Sequence, residues 1–372
     1  MTRDRTSDAA ENTDPGTRLD RLKAALTRQG AEPAALARAF AAPMATRRGA
    51  CLYRLTGAAR PKGAPPAVIV KLYRPGSARL STRPMNPSAT ARQAHMALAA
   101  LDGMDPPLIP RPLHGASSEA AEDWLAPGAV LMEAVDGPPL ARLLWGRALI
   151  PAVRRRLMRE AGIWLARCHT SAPADERPLG DADPARRLAD MAQRAGAAAE
   201  TPLIRRALAH LAETQAAQTP TPWARQHGDF TPGNLLVTRG GIRGIDLATT
   251  SPAPILLDMA RFLGHLAVHH PGPNLTPGPL GAPRALSDAF LEGYAGVAPH
   301  LATALDTPAA RHAALFELTR RWLSLKAQQA RCGPPASALL SGNISGAGRR
   351  IAYGLAAHRL ARALARLLAK SP

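Results

Sequence analysis

Short apolar segments separated by turn-forming residues fill the first third of the chain, and longer helical patterns fill the rest. Residues 50–55 alternate between apolar and polar side chains, and residues 67–73 form an apolar run that contains one lysine. Both patterns are typical of strands, and residues 128–135 predict a third short strand that leads into a Gly-Pro turn. A helix is predicted over residues 88–101.

Helical periodicity dominates after residue 136. Residues 140–219 are predicted to be mostly helical, residues 235–245 form a hairpin, and a helix covers residues 258–269. The order of elements predicts an α+β fold with two lobes, a small strand-rich N-lobe and a large helical C-lobe. The expected domains are a disordered tail over residues 1–16, an N-terminal lobe over 17–135 whose leading helices reach Phe40, and a helical C-terminal lobe with the hairpin over 136–372.

The charge balance narrows the range of partners. The 47 basic and 28 acidic residues give a net charge of +19, which raises the hypothesis of nucleic-acid binding. However, the basic residues form no long run, and aromatic residues, at 4%, are too few for stacking on bases. The ordinary explanation of the charge is compositional, because Arg far outnumbers Lys throughout the chain. A positive field would still help to attract an anionic substrate such as a nucleotide.

Cysteine usage and the absence of long apolar runs suggest where the protein works. The three cysteines are far apart and match no disulfide framework or zinc spacing. Residues 1–17 are polar, and no apolar run is long enough to span a membrane. We expect a cytoplasmic protein. The last helix either contacts a membrane surface or, more ordinarily, packs on the helical lobe. The oligomeric state is not predicted.

The stretch from His227 to Val237, closed by Gly244-Ile245-Asp246, carries the candidate chemistry. A two-residue turn at Gly240-Gly241 would place residue 235 opposite residue 246. Asn234 and Asp246 would then converge, and an amide and a carboxylate oxygen are ligands that suit Mg²⁺. Asp229 lies in the loop before Asn234, where phosphoryl transfer needs an acceptor for a substrate proton.

Lys71 is one of only five lysines and ends the apolar run Val68-Ile69-Val70. A cation in that position would face a lobe interior or a cleft, where it needs an anionic partner. His169, near a helix end, is expected to be a hydrogen-bonded core or capping histidine rather than a ligand.

These residues resemble the aminoglycoside phosphotransferase and choline kinase superfamily, whose members are related to protein kinases. The signature of that superfamily is His-x-Asp-x-x-x-x-Asn followed by an aspartate, and His227, Asp229, Asn234 and Asp246 match it in order and spacing. The segment 258–261 also looks like the Asp-x-Ala element of the superfamily.

The resemblance implies a bilobal protein-kinase-like fold and a kinase that uses ATP and Mg²⁺ on a small-molecule hydroxyl. It assigns the catalytic role to Asp229 and metal binding to Asn234 and Asp246. It further implies phosphate contact by Lys71, adenine contact by the backbone of Met132, Glu133 and Val135, and supporting roles for His227 and Asp258.

One departure from the kinase pattern concerns the partner of Lys71. Kinases pair this lysine with a helix glutamate, yet no acidic residue occurs between Arg74 and Leu101. Gln93 is the nearest polar substitute; otherwise the lysine finds another acid or is held only when phosphate arrives. The missing glutamate motivates the alternative of a pseudokinase, a nucleotide-binding or scaffold module without phosphoryl transfer.

The acceptor pocket is expected between residues 172–222 and the helices after residue 258. A pocket for aminoglycosides, which are polycations, should be acidic. The 172–222 stretch has seven acidic residues but also many arginines. The acceptor therefore stays open among amino alcohols, sugars and aminoglycosides.

Overall fold

The computed structural model describes residue 20 and residues 40–46, 50–56, 67–73, 86–112, 125, 128–146, 149–196, 201–213, 215–248, 251–269, 282–331 and 344–369. The chain divides into two compact units. Unit 1 comprises Met1–Gly137 and Arg243–Thr250, and unit 2 comprises Pro138–Ile242 and Ser251–Pro372. The predicted tail over residues 1–16 and most of the predicted leading helices lie outside the described residues.

Unit 1 is built on a four-stranded antiparallel sheet in the order β1-β2-β3-β4. Alternate residues of β3 are buried, so Lys71 lies on the opposite face of the sheet from Val70 and Leu72. Helix α1 packs on β3 and β4, and its first turn is capped by the Asn86 side chain. The elements are β1 Phe40–Thr46, β2 Ala50–Thr56, β3 Val68–Tyr73, α1 Pro87–Ala99 and β4 Ala129–Glu133.

Unit 2 is mainly helical, with a small antiparallel sheet in the order β5-β6-β9 and the β7-β8 pair. Its helices are α2 Leu140–Trp145, α3 Pro151–His169, α4 Pro184–Ala195, α5 Pro202–Glu213, α6 Ile255–His269, α7 Arg284–Val297, α8 Pro299–Ala302, α9 Pro308–Arg331 and α10 Ile344–Ala369. The strands are β5 Asp175–Pro178, β6 Pro220–Ala224, β7 Leu235–Thr238, β8 Gly241–Gly244 and β9 Ala253–Pro254.

Helices α3 and α7 approach closely because glycine faces the partner backbone on both sides. A Cβ atom at Gly162 would lie 2.0 Å from the Phe290 carbonyl oxygen, and one at Gly293 would lie 2.1 Å from that of Arg159. Since no side chain fits in that space, only glycine permits this packing. The close approach fixes α3 against α7.

Helix α10 packs against α6 and α9 and buries Ala356, Leu360, Leu364 and Leu368. This is the ordinary packing role that the sequence offered as an alternative to membrane contact. Among the residues that the structure describes, no helix is long and apolar enough to cross a membrane.

The predicted α+β class, with a small strand-rich part followed by a large helical part, is confirmed. Residues 140–219 are mostly helical, as predicted, and also contain the short strand β5. Two details of the prediction are wrong: Phe40 begins strand β1 rather than ending a helix, and α6 begins at Ile255 rather than at residue 258. Residues 243–250 group with unit 1, whereas the sequence placed them in the C-terminal lobe.

Candidate active site

Asp258 anchors the loop that carries Asp229 by accepting hydrogen bonds from the loop backbone. Asp258 lies in the first turn of α6 and is 1% exposed. Its Oδ2 accepts a hydrogen bond from the backbone N–H of His227 at 2.8 Å, and its Oδ1 accepts one from Gly228 at 3.1 Å. Gly228 has a φ of 77°, a left-handed conformation that glycine adopts without strain. A buried carboxylate thus fixes the backbone directly before Asp229.

A buried histidine lies beside Asp258. His169 Nε2 lies 3.7 Å from Asp258 Oδ2, and its Nδ1 lies 2.9 Å from the Tyr294 hydroxyl on α7. Burial alone would raise the pKa of Asp258, but the hydrogen bond and charge of His169, with the charges of His227 and Arg261, hold it below its usual value. His169 is therefore a hydrogen-bonded core histidine, as expected.

Asp229 is held by an amide and faces a guanidinium group. Asn234 Nδ2 donates to the Asp229 carbonyl oxygen at 2.9 Å and to its Oδ2 at 3.1 Å. This contact exists because residues 232–234 form a 3-10 turn that brings Asn234 back over the loop. Arg261 Nη1 lies 3.8 Å from Asp229 Oδ1, and the Asp229 side chain is 44% exposed. The carboxylate is both fixed and accessible.

Arg261 is itself fixed by a carboxylate that sequence reasoning missed. Glu317 on α9 is 2% exposed and accepts two hydrogen bonds from Arg261, at 2.7 and 3.2 Å. Burial would raise the pKa of Glu317, but Arg261 and Arg320 lower it to about 2. The sequence showed Arg261 only as part of the Asp-x-Ala segment, and no local signal joins residues 56 positions apart. We call Asp229, Asn234, Asp258, Arg261 and Glu317 the Asp229 cluster.

Aromatic rings form the floor of the loop. Phe230 stacks on Trp164 at 5.5 Å and on Phe262 at 4.7 Å, and Phe262 stacks on Phe290 at 4.7 Å. His227 joins this group, with its ring 5.7 Å from Trp164, and its Nδ1 accepts from the Asp229 N–H at 3.3 Å. Three of the five phenylalanines of the chain therefore lie beneath the loop.

In unit 1, Lys71 pairs with Asp246. Lys71 Nζ donates to Asp246 Oδ1 at 2.7 Å and lies 4.9 Å from the centre of the Tyr73 ring. Burial would lower the pKa of Lys71, but the charges of Tyr73 and Asp246 and the hydrogen bond to Asp246 raise it above its ordinary value. The sequence left the partner of Lys71 open, and the structure shows that this partner is the acid Asp246.

Two geometric predictions around this pair need correction. Gln93 does not substitute for the missing glutamate; its Nε2 donates to the Ala248 carbonyl oxygen at 3.1 Å. The hairpin turn consists of residues 239 and 240, one position earlier than predicted, and β8 ends at Gly244. Residue 246 therefore lies outside the strand, with a left-handed φ of 62° at Asp246, and its predicted pairing with residue 235 is wrong.

The predicted adenine-binding segment ends β4. Met132 is buried and pairs with Ile69 in the sheet. The backbone N–H of Glu133 donates to the Arg111 carbonyl oxygen at 2.8 Å. Among the described residues, the N–H of Val135 has no hydrogen bond, so it is the donor in this segment that is available to a ligand.

Several proteins of known structure have a fold similar to that of this chain. Among solved structures, choline kinase from Cryptosporidium parvum Iowa II is similar with a TM-score of 0.54 and 11% identity, over 95% of each chain. Amicoumacin kinase, in complex with AMP-PNP and Ca²⁺, is similar with a TM-score of 0.53 and 12% identity, over 98% of this chain and 96% of that chain.

A thermostable mutant of an aminoglycoside phosphotransferase, in a ternary complex with ADP and hygromycin B, has a TM-score of 0.51 and 13% identity. The similarity covers 87% of this chain and 94% of that chain. At these identities the likeness shows the fold, which is the predicted kinase-like fold of small-molecule phosphotransferases.

No curated protein matches the sequence. A sequence model described as the phosphotransferase enzyme family, however, matches residues 53–300, a range that contains the whole His227–Asp246 signature and Asp258. The match spans more than half of the chain, and the chain belongs to the phosphotransferase enzyme family.

Proposed function

We propose that this chain transfers the γ-phosphate of ATP, with Mg²⁺, to a hydroxyl group of a small molecule. The observation that carries the proposal is the accessible Asp229 carboxylate, held by Asn234 on a loop that buried Asp258 anchors. The acceptor oxygen bonds to the γ-phosphorus, the bond to the bridging oxygen breaks, ADP leaves, and Asp229 takes the hydroxyl proton.

The nucleotide contacts are proposed for unit 1. Lys71 binds the α- and β-phosphates, for which its charge is retained by the pairing with Asp246. The segment Met132, Glu133 and Val135 receives the adenine, with the N–H of Val135 as the backbone donor. The structures of two similar proteins contain nucleotides, AMP-PNP in one and ADP in the other, which supports a nucleotide here.

Asn234 and Asp246 are each proposed as Mg²⁺ ligands. Asn234 donates through Nδ2, and among the described residues its Oδ1 has no hydrogen bond, so that oxygen is available to a cation. Mg²⁺ prefers oxygen ligands and keeps several waters and phosphate oxygens, so an amide and a carboxylate suit it. When bound, the metal neutralises charge on the phosphates. Within the described parts of the chain, no group of three His, Cys, Asp or Glu side chains forms a metal site.

An acceptor screen tests the proposal. Purified protein with ATP and Mg²⁺ is offered amino alcohols, sugars, hydroxy amino acids and aminoglycosides, and phosphorylated product is detected by mass spectrometry. We expect product with one class and its loss in Asp229→Ala. Absence of product together with absence of Mg²⁺-dependent ATP binding would favour the pseudokinase alternative.

We place the reaction in the cytoplasm, because the cysteines are scattered and odd in number. Cys51 and Cys168 are free and buried. Burial raises the pKa of the Cys168 thiol far above its usual value, so this cysteine takes no part in the chemistry.

A further inference from the structure

Four arginines from three helices of unit 2 lie close enough to Glu317 to interact with its charge, and one of them is Arg261 of the Asp229 cluster. Arg187 lies on α4, Arg261 on α6, and Arg320 and Arg321 are adjacent on α9. We call these four residues the arginine cluster. Helices α4, α6 and α9 belong to the two parts of the chain from which the sequence predicted the acceptor pocket.

Glu317 lies among these arginines and cannot balance their charge alone. Arg261 takes both of its oxygens, and Arg320 Nε also donates to Oε2, at 2.8 Å. Arg320 is 24% exposed, and in the part of the chain that the structure describes its two terminal amino groups have no hydrogen bond. Four donor N–H bonds of one guanidinium are therefore available to a ligand.

Arg321 and Arg187 have neutral partners. Arg321 Nη2 contacts His269 Nε2, and its Nε is buried and, among the described residues, unpaired. Burial and the charge of Arg321 lower the pKa of His269 to about 4, so the imidazole is neutral at physiological pH. The Arg187 guanidinium lies 5.5 Å from the centre of the Phe316 ring.

Two of the acidic residues in the stretch 172–222, where an aminoglycoside pocket would need free carboxylates, already pair with neighbouring arginines. Asp183 lies 3.1 Å from Arg186, and Asp175 lies 2.6 Å from Arg177. Burial and, to a smaller extent, the neighbouring charge of Arg320 lower the pKa of Arg321 to about 10. The surroundings of Asp229 therefore carry an excess of cations, which repels a polycation.

We propose that the acceptor carries an anionic group, a carboxylate or a phosphate, which the arginine cluster binds while the acceptor hydroxyl meets Asp229. The inference rests on the proposed function and names the substrate class for that site. Guanidinium groups suit this task, because their planar donors match two oxygens of a carboxylate or phosphate. Glu317 fixes Arg261 beside Asp229. The positive charge of Arg261 then limits the repulsion between the bound anion and the Asp229 carboxylate.

The competing assignment is that these arginines contact the γ-phosphate of the nucleotide. The two assignments differ in what an arginine substitution changes. An acceptor subsite governs the affinity for the acceptor and leaves the affinity for the nucleotide unchanged, whereas a γ-phosphate clamp governs the affinity for the nucleotide with every acceptor.

Matched ligand pairs test the inference by calorimetry on the full chain with Mg²⁺ and AMP-PNP. The pairs are glycerol with glycerol 3-phosphate, glucose with glucose 6-phosphate, and glucose with glucuronate. The first two pairs measure the effect of a phosphate on the affinity, and the third measures the effect of a carboxylate. We expect the anionic member of at least one pair to bind about tenfold more tightly, equivalent to about 1.4 kcal/mol. Arg320→Gln should abolish this preference. The exposed Arg156→Gln, which removes the same charge from α3, should retain it.

Three results overturn the inference: equal or tighter binding of the neutral member in every pair, a preference that survives in Arg320→Gln, or Arg320→Gln weakening AMP-PNP instead of the anion. Failure of the proposed function is seen separately, because the wild-type chain would then show no Mg²⁺-dependent binding of AMP-PNP or no transfer of phosphate from ATP to any acceptor of the screen, and both proposals would fall.

Discussion

Asp258 in unit 2 and Asp246 in unit 1 are both carboxylates of the functional motifs, and they are held in different ways. Asp258 is 1% exposed and accepts from two backbone N–H groups beside a buried histidine. The Asp246 side chain is 29% exposed and pairs with Lys71. The first arrangement makes the carboxylate part of the core, and the second leaves it able to exchange its partner for a ligand.

The same contrast applies to the cations. Arg261 is locked by two hydrogen bonds to buried Glu317, whereas Lys71 makes one short bond from a flexible side chain. A rigid guanidinium keeps the geometry around Asp229 constant, and a single ammonium can follow the phosphates of a nucleotide. We therefore assign the rigid residues around Asp229 to the chemical step and the more adaptable pair of Lys71 and Asp246 to nucleotide binding. The following substitutions test this assignment.

The largest effect is expected for Glu317→Gln. It leaves the buried Arg261 without its counter-charge, and breaking a buried pair costs about 3–5 kcal/mol. The free energy of unfolding from urea denaturation measures the loss. Glu292→Gln, which removes an exposed pair with Arg159, is the matched control and should cost less than about 1 kcal/mol. Similar losses in the two variants would refute the rigid role of Glu317.

Asp258→Asn should cost about 2–3 kcal/mol, because an amide offers only one acceptor oxygen to the His227 and Gly228 N–H groups. The same substitution at Asp246 should change the free energy of unfolding by less than about 1 kcal/mol, since the pair with Lys71 is partly exposed. Equal losses at the two positions would contradict the comparison.

The stability of unit 2 should depend on pH through its buried histidines. The pKa values of His269 and His312 are lowered to about 4, mainly by burial, so the unfolded chain binds protons first as the pH falls below about 6.5. Stability is complete above that pH and declines towards pH 4, by about 1–2 kcal/mol after allowance for solvent screening. Urea titrations at about pH 7 and about pH 4.5 measure the decline, and His312→Gln should reduce it. An unchanged or higher stability at the lower pH would contradict it.

Much of the fold can be predicted from the sequence where local patterns decide it. The alternation around Lys71 and the apolar run before Asp136 predict β3 and β4, and the spacing of His227, Asp229 and Asn234 predicts the loop. By contrast, β5 is charged and β6 contains two prolines, so their strand character arises only from pairing between distant segments.

The remaining differences arise where the sequence offers no local signal or a misleading one. The partner of Lys71 lies 175 residues away, and Glu317 lies 56 residues from Arg261, so no local pattern announces either pair. The hairpin turn is predicted one position too late because the Gly-Gly pair at residues 240 and 241 is the strongest turn signal in that stretch. In the structure Arg239 takes the first turn position, and Gly241 already begins β8.

A paired measurement on two variants tests the central claim most directly, that Asp229 serves the chemistry and Lys71 the nucleotide. Binding of ATP with Mg²⁺ and transfer to an identified acceptor are measured for Asp229→Asn and Lys71→Ala. We predict that Asp229→Asn binds ATP with unchanged affinity and loses about 10³-fold in transfer rate, while Lys71→Ala loses about tenfold or more in ATP affinity. Transfer that survives in Asp229→Asn, while ATP binding is intact, would contradict the account.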